Sequence, residues 1–248
     1  MKKLLPFLCL LFIPLNVTAE ISDADFQKAF EKYLTTDSGQ EKLGDAMRNY
    51  MLKQQAKAQK DAEEKQKAAL ENQFKNPVKI DVGSSPTKGP ATAKVTVVEF
   101  SDFECPYCKQ GANTMDDIVK AYGDKVRVVF KNLPLSFHKN AEPAARAALA
   151  ANKQGKFWEM HDAFFNNQRG LNEEFYMTTA KNIGLNVDKF KADMNSDEIK
   201  KQVQADMELA KKHGVSGTPG FSVNGVMVRG AYPLDHFKGI IDRWLAQK

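Results

Sequence analysis

Cysteine is scarce in this chain: 248 residues hold three, Cys9, Cys105 and Cys108, too few for a disulfide framework to replace a hydrophobic core. Histidine is scarce as well. Its four residues stand singly at 138, 161, 213 and 236, so the Cys105/Cys108 pair finds no second pair with which to complete a tetrahedral zinc site. No uninterrupted apolar run approaches the roughly 20 residues of a membrane-spanning helix; Leu4 to Leu15 is broken by Pro6 and Pro14. A large excess of one charge is missing too. The formal net charge of +5 is mild and mixed along the chain, which excludes the electrostatic footprint of a nucleic-acid-binding protein.

What is present falls into segments. Lys2 and Lys3, the apolar Leu4 to Leu15 and the small-residue pattern Val17-Thr18-Ala19 read as a secretory signal peptide over residues 1–19, which takes Cys9 with it. Residues 20–76 read as a helical oligomerisation region and stalk. Ser22 is placed to cap a short helix whose Phe26, Phe30, Tyr33 and Leu34 share a face. Ser38 and Glu41 form a capping-box signal for a second helix from about Gln40 to Phe74, roughly 50 Å long. Its first half carries the stripe Leu43, Met47, Tyr50 and Met51, whereas Lys53 to Lys67 is almost wholly Ala, Lys, Glu, Gln and Asp. Such a stripe needs a partner surface; a second copy of the chain is the expected one, and a lone helix packed back on its own domain is the alternative. Residues 77–90, with their prolines and glycines, read as a linker.

From Ala91 the pattern alternates. A valine-rich strand over Lys94 to Phe100, a helix over Cys108 to Tyr122 and an apolar strand over Lys125 to Lys131 call for a parallel pair in a layered α/β core. A helical stretch follows over about 139–213, with segments beginning near Asn172 and Ser196. The chain closes with strands Gly220 to Asn224 and Val226 to Arg229, joined at Asn224-Gly225, and an amphipathic helix over about Leu234 to Leu245.

Cys105-Pro106-Tyr107-Cys108 follows the first strand directly and opens the helix, the arrangement of a thiol–disulfide exchange site. At a helix start, Cys105 meets unsatisfied N–H groups and the positive dipole end, which lower its pKa. Pro106 suits the first helical position. Cys108, one turn on, is the more buried, resolving thiol. Strand alternation puts Glu99 on one face with Val95 and Val97; buried there, its pKa rises and it can exchange the proton of Cys108. A strand-end glutamate turned to solvent, or one paired with Lys131 on the next strand, is the alternative. Asp102 and Glu104 read as rim residues that oppose the thiolate.

Val95 to Phe100 with Ser101-Asp102-Phe103-Glu104-Cys105-Pro106-Tyr107-Cys108, then Val128 to Pro134, Gly217-Thr218-Pro219 and Phe221 to Gly225, resemble in order the motifs of the DsbA-like branch of the thioredoxin superfamily. The resemblance spans about residues 91–248. It implies a thioredoxin-like α/β fold with a helical domain inserted over about 139–213, catalytic Cys105, Cys108, Glu99 and cis Pro219, and peptide contacts from Pro106, Tyr107, Gly217 and Thr218. It implies no cofactor beyond the redox-active Cys105–Cys108 disulfide itself. The amino-terminal extension resembles that of Com1-like and ScsC-like envelope proteins. The expected activity is that of a periplasmic disulfide isomerase and oxidase acting on unfolded or misbridged secreted proteins, a homo-oligomer, expected as a dimer, recharged by a membrane redox partner. A dedicated dithiol oxidase and an oligomeric peptide-binding adaptor of the cell envelope are the alternatives.

Overall fold

The computed structural model describes residues 22–247; the leader read over residues 1–19 lies outside them. The chain divides into two compact units, one ending at Gln66 and one beginning at Lys67.

The first unit holds α1 (Asp23–Leu34) and most of α2 (Asp37–Lys75). Ser22 caps α1, its hydroxyl accepting from the N–H of Asp25 at 3.2 Å. Thr36, not Ser38, caps α2, accepting from the N–H of Gly39 at 3.0 Å. Both residues are good caps; Ser38 lies inside the first turn, where its hydroxyl cannot reach an orphan donor ahead of it. Phe26, Phe30, Met47, Tyr50 and Met51 are exposed on these helices.

The second unit contains the C-terminal end of α2, where the stalk had been expected to continue to residue 76. Phe74 is buried against Trp244, with ring centroids 5.2 Å apart, Glu71 makes a bidentate pair with Arg243 at 2.6 and 2.7 Å, and Gln73 accepts from the N–H of Met227. Residues 77–90 likewise lie on the sheet rather than linking two bodies. Val78 donates to the Gly225 carbonyl, Phe130 donates to the Pro86 carbonyl, and β1 (Thr87–Lys88) forms an edge strand. A two-residue strand is too short to show alternation.

Then come β2 (Val95–Ser101), α3 (Pro106–Tyr122) and β3 (Val126–Asn132). The helical insertion comprises α4 (Ala141–Asn152), α5 (Phe157–Asn166), α6 (Glu173–Asn182), α7 (Val187–Met194) and α8 (Asp197–Lys212). Asn172, Asn186 and Ser196 cap the last three of these through their side chains; α7 escaped the sequence reading. The hairpin β4 (Gly220–Val223) and β5 (Val226–Arg229) and the helix α9 (Leu234–Ala246) complete the unit. The sheet order is β1-β3-β2-β4-β5, with β2 and β3 parallel and the other pairs antiparallel. Asn224 at φ 45° and Gly225 at φ 93° make the tight turn, and the Asn224 side chain also ties down the start of β2 through the N–H of Thr96 and the carbonyl of Lys94.

Alternation along β2 divides the core. Val95 and Val97 join Met115, Ile118, Phe237 and Ile241 under α3 and α9, whereas Val98 and Phe100 pack on the opposite face with Val129, Ala210 and Val215. The insertion has its own apolar centre, in which the small side chains of α4 admit Phe157, Phe164, Tyr176 and Phe190, and this centre reaches Phe103, Cys105 and Cys108. The thiols thus sit where the insertion meets the sheet.

Candidate functional site

Parallel pairing of β2 with β3 ends both strands beside the first turn of α3, and the short loop from Ser101 to Cys105 delivers the thiols there. Cys105 is the N-cap residue of α3 in extended conformation, with Pro106 in the first turn. Both thiols are free and buried, Cys105 at 5% exposure and Cys108 at 0%. The loop that faces them carries a cis Thr218–Pro219 peptide bond. Gly111 makes that closeness possible. A Cβ there would lie 3.0 Å from the Phe221 ring and 3.3 Å from Pro219, tighter than core packing tolerates without displacement.

The sulfurs differ in their surroundings. Cys105 Sγ lies 3.6 Å from the Thr218 carbonyl oxygen, and Cys108 Sγ accepts from the N–H of Asp102 at 3.3 Å. The Cys105 pKa is lowered to about 5, first because the Cys108 thiol donates to its sulfur, then through the Thr218 hydroxyl and the N–H groups of Cys108 and Tyr107, against the opposing effect of burial. Helix-terminal N–H groups therefore contribute, but the neighbouring thiol leads. Burial, reinforced by the Cys105 sulfur, pushes the Cys108 thiol far up. One cysteine is a thiolate at neutral pH and the other a thiol, the division of labour that exchange requires.

Glu99 stands on the face of β2 toward α3, 1% exposed, and desolvation raises its carboxyl to about 7 against the smaller opposing influence of the Ser101 hydroxyl. Its Oε1 finds no partner. A narrow void beside it is lined by Lys88, Ala112, Met115, Asp116, Trp158 and His161, and at this void the Lys88 ammonium pairs with Asp116 at 2.7 Å and lies 4.5 Å from the Trp158 ring centre. Lys131 is not the partner of Glu99. The register sets Glu99 opposite Phe130 and Lys131 opposite Phe100, so Lys131 points to the other face, where it pairs with buried Asp206 of α8 at 3.1 Å.

Asp102 and Glu104 are not rim residues. Asp102 is 1% exposed and accepts from the N–H groups of Glu104 (2.7 Å) and Leu135 (2.8 Å) while contacting His138 Nδ1 at 2.8 Å. Glu104 accepts from the N–H of Asn140 at 2.7 Å. Both carboxylates are spent on holding the segment after β3 against the active-site turn. Gln168, which sequence reasoning missed, does the same from the insertion: its amide donates to the carbonyls of Phe103 and Cys105, each at 2.9 Å. Nothing in its local sequence signals this, since the bonds span more than sixty residues of chain.

Of the remaining candidate positions, Pro106 and Tyr107 are exposed beside Cys105, Tyr107 at 61%. Thr218 turns a buried hydroxyl without a full hydrogen bond toward the sulfurs. The N–H groups of Gly217 and Thr218 make no backbone hydrogen bond among the described residues.

A strand, a C-x-x-C pair at a helix start and a facing cis-proline loop in this sheet order define a thioredoxin-fold redox site, and residues 81–243 match the family model described as thioredoxin. The chain belongs to that family, and its fold and its C-x-x-C pair resemble those of DsbA-type thiol–disulfide oxidoreductases. A thioredoxin-like oxidoreductase from Silicibacter pomeroyi DSS-3 is 33% identical, with a TM-score of 0.60 over 66% of this chain and 94% of that one. The thiol–disulfide exchange protein alpha-DsbA2 from Wolbachia pipientis is 25% identical, TM-score 0.60, over 64% of this chain and 87% of that one; oxidised BdbD from Bacillus subtilis is 26% identical, TM-score 0.63, over 69% and 98%. Among curated proteins, the Na(+)/H(+) antiporter NhaA of Herminiimonas arsenicoxydans is 39% identical over 145 residues, 58% of this chain and 23% of that protein. The chain spans about a quarter of the length of the curated relatives it matches.

Proposed function

We propose that the protein acts in the periplasm as both a disulfide isomerase and an oxidase of secreted proteins, as a homodimer held by residues 22–52 and recharged by a membrane redox partner. The leader pattern of residues 1–19 supports the compartment. The observation that carries the isomerase assignment is the apolar face left in water on α1 and the first half of α2, where Phe26, Met47 and Tyr50 are each more than half exposed. A helix pair has no core of its own to cover such a face. A second copy offers the same surface and covers it isologously, and two thiol sites addressing one substrate raise the effective concentration of thiolate at a wrong disulfide.

In the reducing direction the Cys105 thiolate attacks a substrate disulfide, one substrate sulfur leaves as thiolate, and Cys108 resolves the mixed disulfide after losing its proton to Glu99. In the oxidising direction the steps reverse, and Glu99 returns the proton to Cys108. The unengaged N–H groups of Gly217 and Thr218 suit an extended substrate strand laid beside the thiols, with Tyr107 at its rim.

The test compares the full chain with its Phe26→Glu, Met47→Glu variant by light scattering, refolding of a scrambled-disulfide protein and oxidation of a reduced peptide. The variant is expected to be monomeric, to lose most isomerase activity and to keep peptide oxidation. A parent chain that is monomeric at micromolar concentration, or equal loss of both activities, would refute the reading.

A further inference from the structure

Burial without a partner is costly for a hydroxyl or a carboxyl, and two such atoms lie together behind the active site. Glu99 and Ser101 are two residues apart on β2, so their side chains share the face toward α3. Each is 1% exposed, and both Glu99 Oε1 and Ser101 Oγ lack a hydrogen-bond partner of full geometry. Ser101 Oγ faces the same buried space as both reacting groups: Glu99 shares its face of β2, and the N–H of Asp102, the next residue, donates to Cys108 Sγ at 3.3 Å. A hydroxyl can donate with its proton while accepting with a lone pair. Hydrogen bonds of a resting site often tighten only when charge develops.

We infer that the Ser101 hydroxyl carries the proton between Cys108 and Glu99. The inference rests on the proposed role of Glu99 as the proton reserve. When a substrate thiolate attacks Cys105 Sγ of the oxidised pair, the Cys105–Cys108 bond breaks, a substrate–Cys105 disulfide forms, and Cys108 leaves as thiolate. Cys108 then takes the Ser101 proton while Ser101 takes the proton of the Glu99 carboxyl, which becomes carboxylate. In the resolving direction both protons move back along the same path as Cys108 attacks the mixed disulfide and expels the substrate thiolate. No further oxidant or reductant enters. The narrow void beside Glu99 lies away from Cys108, lined by neither Ser101 nor Cys108. The other charged or titratable groups facing Glu99 are Lys88 from β1, Asp116 from α3 and His161 from α5.

The test follows reduction of the oxidised full-length protein by reduced glutathione in single turnover between pH 5 and 9. The parent should show an inflection near the Glu99 midpoint of about 7. Ser101→Ala should slow the step by about 100-fold and erase that inflection, Ser101→Thr should restore both, and Ser101→Ala should cost nothing further in a Glu99→Gln background. A proton inventory on the parent in mixed light and heavy water, which needs no variant to fold, should be curved because two protons move in one step. If Glu99→Gln loses the inflection but Ser101→Ala keeps it, the relay is overturned while the Glu99 reading stands. If Glu99→Gln changes nothing, both fall. Additive losses in the double variant, or a linear inventory, would also overturn the relay.

Discussion

Glu99 and Asp102, three residues apart and each 1% exposed, end in neighbourhoods that handle a carboxyl group in opposite ways. Around Asp102 two backbone N–H groups and the His138 ring converge within 2.8 Å: the Glu104 N–H closes the active-site turn, and Leu135 and His138 fix the loop after β3 to it. Around Glu99 one oxygen is left without a partner, and burial raises the group into the neutral range. Burial sets the cost of a charge; the number of donors decides whether the protein meets that cost with structure or leaves the proton exchangeable. The first arrangement makes a clamp and the second a reserve.

The comparison is sharpest at Asp102. Asp102→Ala leaves the N–H groups of Glu104 and Leu135 and the His138 ring without their acceptor, and should lower stability by about 3 kcal/mol or more, read from urea midpoints at pH 7. Glu99→Gln, which strands no such donors, should cost less than about 1 kcal/mol under the same conditions. Similar losses from the two variants would mean that both residues are clamps.

Next in size is the share of the pH dependence that Glu99 contributes. Its folded pKa of about 7 lies above the ordinary 4.5, so the native state binds this proton more tightly than the unfolded chain does. Its contribution is therefore fully present below pH 4.5 and is lost as pH rises through 7, a total of about 3 kcal/mol. The depressed Cys105 thiol titrates in the opposite sense over the same range, so the loss is read as a difference: between pH 5 and 8 the parent should lose stability relative to Glu99→Gln. An equal slope in both proteins would assign the titration to another group.

Much of this site is local in sequence, and that part was legible. A valine run, a C-x-x-C and a proline at a helix start fix β2, the opening of α3 and the placement of both thiols, because each depends on neighbours a few residues away. Asn224-Gly225 announces its hairpin for the same reason, and alternation places Glu99 on the face it occupies. The unread parts depend on distant partners. Asp102 looks like a rim acid until Leu135 and His138 fold over it, and Lys131 looks like a partner for Glu99 until the register turns it toward Asp206. The end of α2 reads as part of the stalk because the groups that cover it, Arg243 and Trp244, lie at the far end of the chain. Ser38 and Thr36 are equally good caps by type, and only the helix start distinguishes them.

The smallest expected effect probes the Glu99 neighbourhood through the ion pair at its void. Lys88 favours the Glu99 carboxylate and Asp116 opposes it, so the two halves of one pair act on the same carboxyl with opposite sign. Lys88→Met should raise the Glu99 midpoint and Asp116→Asn should lower it, each by a few tenths to about one pH unit. The shifts are modest because the Lys88 side chain is 27% exposed and that of Asp116 41%, and solvent screens both. The carboxyl stretching band of protonated Glu99, followed by infrared difference against pH and assigned by its loss in Glu99→Gln, gives the midpoint directly. Because the contributions oppose each other, the double variant should return close to the parent value. If both single variants move the midpoint the same way, the ion pair acts by propping the void closed, and desolvation rather than charge sets the reserve.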